Sequence, residues 1–123
     1  EVKVLSATML FRNCNYTESI DIAWDFSECA SLNNAFQTES IIQPYILTSF
    51  SGFKNVRVSY DISSCPFLNH ESAINCIAGL YDLTEGGTVT GYTAQTLTFH
   101  AGVKAQLTEE EIAEATAKGW NIA

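Results

Sequence analysis

A ten-residue motif recurs thirty-six positions further along this chain, and that self-similarity limits the folds open to it more than any other feature. Trp24-Asp25-Phe26-Ser27-Glu28-Cys29-Ala30-Ser31-Leu32-Asn33 is echoed by Tyr60-Asp61-Ile62-Ser63-Ser64-Cys65-Pro66-Phe67-Leu68-Asn69. Aromatic, Asp, apolar, Ser, Cys, Leu and Asn fall in one register. Self-similarity at a period of roughly 20–50 residues points to stacked units, each burying its apolar side against the next.

The approach to each copy alternates. Ile20, Ile22, Trp24 and Phe26 share one face, as do Val56, Val58, Tyr60 and Ile62, so half-buried strands are predicted over 20–27 and 56–63. A looser third copy is Thr96-Leu97-Thr98-Phe99-His100, with Leu97 and Phe99 inward. It begins slightly late in the period, and the glycine-rich stretch Glu85–Gly91 is the loop that takes up the difference. Helices are expected between strands. Asn69 caps one over about 70–82, with Ala73, Ile74, Ile77, Leu80 and Tyr81 on its periodic face. Thr108 and Glu111 form a capping box for another over about 109–118, which turns Ile112, Ala113, Ala115 and Thr116 towards a partner. Lys118 sits in its last turn and Gly119 follows as the C′ residue. Asn33 or Asn34 starts a shorter helix or turn that ends before Pro44. Trp120–Ala123 reads as the stub of a further strand, Val2–Leu5 as the start of an earlier one, and Phe11–Cys14 resembles Phe50–Phe53. No linker divides the chain. One domain over 1–123 is expected, with repeats of about 15–50, 51–90 and 91–123.

Trp24-x-Phe26-x-x-Cys29-x-x-Leu32 and Tyr60-x-Ile62-x-x-Cys65-x-x-Leu68 fit the leucine-rich-repeat core L-x-L-x-x-N/C-x-x-L. Over about 20–123 the chain resembles the irregular, BspA-type leucine-rich repeats of bacterial surface proteins. Its close, from Leu97-Thr98-Phe99 through Leu107–Ala113 to Ala117–Ala123, is similar to the carboxy-terminal unit of such proteins in gut bacteria and their phages. Aromatics stand where leucine is usual at Trp24, Tyr60 and Phe99, and the third copy lacks the Asn/Cys step. The resemblance implies an α/β fold: a leucine-rich-repeat solenoid with parallel strands on one face and helices or turns on the other. It implies a module for binding or adhesion, at the cell surface, outside the cell or on a phage particle, and it does not imply an activity.

Composition narrows the partners. The 123 residues carry six basic and fourteen acidic side chains, for a net charge of −8, which disfavours nucleic acid and anionic membranes. No run approaches the roughly 18 apolar residues of a membrane span. A start at Glu1 without an initiator Met reads as an excised or processed piece. Cys14, Cys29, Cys65 and Cys76 contain no C-x-x-C and make no zinc pattern with His70 and His100. A disulfide framework stays open beside the favoured reading, buried free thiols acting as small hydrophobes. Asn15-Tyr16-Thr17 matches a glycosylation sequon, read here as a chance match.

No phosphate loop, nucleophile elbow or zincin motif is present, so neither cofactor, metal nor catalytic group is expected. His70 reads as a first-turn surface residue. Asp25 and Asp61 share a register and would lie ~5 Å apart on paired parallel strands, the one arrangement that suggests glycoside hydrolysis. The favoured functional surface is the outward strand face. It comprises Asp21, Ala23, Asp25 and Ser27 from the first copy; Arg57, Ser59, Asp61 and Ser63 from the second; and Thr96, Thr98 and His100 from the third. Small and polar, it suits a protein or glycan ligand. A terminal solenoid cap that associates end to end is the rival reading.

Overall fold

A computed structural model describes residues 2–39, 43–85 and 91–123. Along the chain run β1 (Val2–Lys3), β2 (Ser19–Asp25), β3 (Ser49–Lys54), β4 (Tyr60–Asp61), α1 (His70–Ala78), β5 (Gln95–Thr98), α2 (Ala101–Lys104), α3 (Glu109–Ala117) and β6 (Trp120–Ile122). The fold is mixed α/β, with two small sheets, β1-β2-β3 and β4-β5-β6, in which all pairings are parallel. Parallel neighbours need a long return connection, so each strand meets the chain again only after a full excursion.

The partner of β2 is β3, and not the second motif copy. Ser19 lies opposite Ser49, Ile20 opposite Phe50 and Asp21 opposite Ser51; the register then slips, and Trp24 faces Phe53. Two residues of β2, Ile22 and Ala23, thus oppose Gly52 alone, which is a β-bulge. Gly52 has φ +104°, and a Cβ there would stand 1.5 Å from the Ile22 carbonyl oxygen. Only glycine fits both the dihedral and the approach. The turn reverses the alternation: Phe50 and Phe53 would fall on opposite faces of a regular strand, yet both are buried. Phe53 becomes the hub of the core. Its ring meets Phe26 at 4.2 Å, Phe50 at 4.9 Å and Tyr60 at 5.7 Å between centroids, with Phe11 and Phe36 both at 6.3 Å. Each such pair adds about 0.5–1.5 kcal/mol beyond area burial.

The second predicted strand is correspondingly short. Burial alternates through Val56, Tyr60 and Ile62 as expected, but ladder pairing is confined to β4 and to a parallel bridge between Val56 and Leu80. β4 pairs with β5, Tyr60 facing Leu97 and Asp61 facing Thr98; β6 extends this sheet, with Leu97 facing Ile122. The third predicted strand, over 96–100, is found as β5 over 95–98, with His100 left to cap α2, and the closing stub at Trp120 is a true strand.

Helix α1 starts at its expected cap, Asn69 Oδ1 accepting from the Ser72 N–H at 2.8 Å, but stops at Ala78. Gly79 ends it because its backbone packs against the Phe53 carbonyl, where a Cβ would come within 2.0 Å, and Leu80 is already committed to Val56. Leu80 and Tyr81 therefore lie beyond the helix. In α3 the Thr108–Glu111 capping box is complete, Ala115 is buried, Ile112 is half-buried, and Gly119 takes φ +88°. Ala113 and Thr116, expected to face a partner, are exposed. The Asn33–Asn34 region is a turn over 33–36, with Asn34 at φ +58°. Residues 86–90 of the expected glycine-rich loop lie outside the described residues.

Candidate functional site

The repeated motif folds as a repeated turn. Asp25 Oδ1 accepts the N–H of Ser27 at 2.9 Å, and Asp61 Oδ1 accepts that of Ser63 at 2.8 Å. The Cys29 N–H then donates to the Phe26 carbonyl and the Cys65 N–H to that of Ile62, while Leu32 and Leu68 plug the core. A third copy, not apparent in the sequence reading, is Asp82-Leu83-Thr84, in which Asp82 Oδ1 accepts from the Thr84 N–H at 2.9 Å. An aspartate two residues before a serine or threonine holds the turn that leaves a strand.

That role removes Asp25 from the outward face. It is buried, with 7% of its surface exposed, and Asn55 Nδ2 donates to the same oxygen at 3.3 Å while Lys3 Nζ lies 4.0 Å from the other. The Ser27 backbone N–H, chiefly, holds its carboxyl below the ordinary range. Asp25 and Asp61 are not strand neighbours either. Asp25 stands opposite Lys54 in the first sheet and Asp61 opposite Thr98 in the second, so the paired arrangement required for glycoside hydrolysis is not formed by the strands.

The other expected site residues divide. Asp21 accepts from Ser51 Oγ at 2.7 Å on the exposed face of the first sheet. Ser27 belongs to the Asp25 turn. Arg57 stacks on the Tyr81 ring, 3.6 Å from its centroid. Ser59 is structural: its N–H and hydroxyl both donate to Gln95 Oε1, and its Oγ accepts from the Thr96 N–H at 2.9 Å. His100 caps α2, with Nδ1 accepting from the Gly102 N–H at 3.1 Å, which places its proton on Nε2 when neutral. His70 is not a lone surface residue, since its Nε2 lies 2.9 Å from Glu111 Oε1 and links α1 to α3.

Four of the expected residues meet in a cleft. Ser59, Asp61, Thr96 and Thr98 form one wall, with Tyr60 between them, and Leu32, Asn33 and Asn34 form the other, around about 240 Å³. A smaller space of about 130 Å³ continues it past Asn34, Gln37, Asp61 and Ser64. Asn33, Asn34, Gln37 and Ser64 were missed as site residues. The Asn-Asn dipeptide was legible as a turn, but nothing in the sequence says that the turn faces β4.

The cysteines are free thiols, three of them buried. Burial pushes the Cys65 and Cys76 thiols up to about 12 and raises the neighbouring Tyr60 hydroxyl well above its usual range. Such thiols are protonated, and so poor nucleophiles, at neutral pH. Among the described residues no cluster of His, Cys, Asp and Glu is arranged to hold a metal ion, and no helix is long and apolar enough to cross a membrane. Asn15 of the sequon is buried and donates its amide to Thr38 Oγ1 and the Gln43 carbonyl, a structural use. No family model, curated protein or solved structure matches this chain.

Proposed function

We propose that the chain is a non-catalytic binding module of the leucine-rich-repeat kind, a short solenoid whose ligand-facing surface centres on the cleft between the Asn33–Asn34 turn and strands β4 and β5. The observation that carries this reading is the pair of motif copies folding into the same aspartate-held turn, beside strands that all pair in parallel. With it goes a setting in a larger surface or phage-associated protein, and a protein or glycan as ligand. The test is a screen of peptide and glycan libraries with the wild type and an Asp61→Asn/Thr98→Ala variant. A ligand lost in the variant supports the reading, and no ligand for either protein refutes it.

A specific observation favours a second, structural reading. Val2, Leu5 and Met9 in the first segment are 53%, 65% and 45% exposed, an apolar edge, whereas α3 at the far end carries Glu109, Glu110 and Glu114 outward. A capped solenoid end with an open opposite edge has this asymmetry. If capping is the task of residues 107–123, their deletion aggregates an otherwise monodisperse chain. Unchanged light scattering after deletion removes that reading.

A further inference from the structure

Among the described residues, backbone hydrogen bonds join many successive passes of the chain. Ala7, Met9, Phe11 and Asn13 donate to Ser31, Asn33, Ala35 and Gln37; β4 is bonded to β5 and β5 to β6. The cleft differs. Leu32–Asn34 and Ser59–Asp61 wall the same space, yet no backbone hydrogen bond crosses it among the described residues. One edge of the short strand β4 is thus open beside a gap in the ladder, and an open edge is a template for another strand.

The side chains along the gap suit a main chain. The amides of Asn33, Asn34 and Gln37 and the Thr98 hydroxyl make no hydrogen bond among the described residues, and Asp61 uses only Oδ1 in its own turn. An amide offers one donor edge and one acceptor edge, the complement of a peptide group. Aromatic surface is missing where a sugar ring would stack, since Tyr60 and Phe36 are 4% and 1% exposed. The two spaces share Asn34 and Asp61 in their walls, so a segment lying along the cleft can reach both.

Building on the binding-module reading above, we infer that the cleft takes an extended peptide segment, added as a short strand along the open edge of β4 and held by the amides of Asn33 and Asn34. Strand addition has a signature that side-chain recognition lacks. Peptide amides at alternate residues point to the edge and away from it.

The experiment pans a random-peptide display library on the full chain, with a glycan array in parallel. The tightest peptide is then resynthesised with one N-methyl group at each amide in turn. The expected result is a loss of about tenfold or more in affinity at every second position and little at those between. Asn33→Ala/Thr98→Ala weakens the peptide similarly, while its melting temperature stays at the wild-type value. Binding that N-methylation lowers uniformly or nowhere overturns the inference, as does a peptide indifferent to the double variant. If that variant melts early, ¹⁵N amide shifts on peptide addition to the wild type decide: changes confined to residues outside 32–37, 59–64 and 96–98 overturn it. A glycan that binds this cleft overturns the peptide assignment and leaves the binding module standing, whereas silence from both libraries removes both.

Discussion

Gly52→Ala is the sharpest test of the architecture, because it interrogates the β2–β3 pairing that the repeat did not foretell. Two costs add. The residue must hold φ +104°, where an L-residue is strained by about 1–3 kcal/mol. Its methyl must also be accommodated 1.5 Å from the Ile22 carbonyl oxygen, which backbone can relieve only by opening the bulge. Such overpacking costs about another 1–3 kcal/mol. Gly91→Ala is the control, since Gly91 has nearly the same dihedral, φ +102°, with nothing within 4 Å of the added carbon. The strain is common to both variants and the collision belongs to Gly52 alone. At about 4 °C per kcal/mol for a chain of this size, Gly52→Ala should melt some 10–20 °C low and Gly91→Ala about half that or less. Circular dichroism melts and urea titrations measure both. Should the two variants agree within about 3 °C, less than 1 kcal/mol separates them, and Gly52 is not pressed against β2.

The remaining expectations are simpler. Phe53→Ala removes the ring at the centre of five aromatic contacts and should cost about 3–5 kcal/mol by urea denaturation, well above the effect of truncating exposed Phe67. Asp25 and Glu111 both titrate below their ordinary values of 3.8 and 4.5, chiefly through backbone N–H groups of Ser27 and Thr108. The unfolded chain therefore takes up those protons first, so their stabilisation is complete above those ordinary values and lost as pH falls through the lower folded ones. Urea midpoints followed down the acid limb should fall less steeply in Asp25→Asn, and an unchanged slope rejects the assignment. In the native protein Cys65 and Cys76 should resist thiol reagents at about pH 8, half-buried Cys14 should react first, and denaturant should release four thiols; two would mean a disulfide.

What the sequence disclosed was local, and what it hid was relational. The motif copies at Asp25 and Asp61 form the same turn because the turn is closed within three residues, and the caps at Asn69 and Thr108 act where they were read for the same reason. Parallel pairing was legible as a class. Its partners were not: matching Ile20–Ser27 with Val56–Ser63 assumed that similar segments stack on each other, whereas β3 lies between them in sequence and takes the place beside β2. β3 escaped notice because Gly52 breaks its alternation, so a period-two reading sees Phe50 and Phe53 out of phase. The Asp82 turn was hidden by a change of residue, threonine for serine and no cysteine after it.

The same distinction explains the cleft and its limits as a reading of sequence. Asp61, Thr96 and Thr98 are outward-facing positions of strands, so alternation alone found them. Asn33 and Asn34 belong to a turn, whose direction depends on Asn34 adopting φ +58° and on the carbonyls of Ser31, Asn33, Ala35 and Gln37 being engaged by the preceding pass. The intervening carbonyls of Leu32 and Asn34 are taken up inside the turn by the N–H groups of Ala35 and Gln37, so the turn has little left to offer β4 except side chains. The gap in the ladder is thus a consequence of the turn's own bonding, and a polar cleft at that level follows from two asparagines in a position where a regular strand would have closed it.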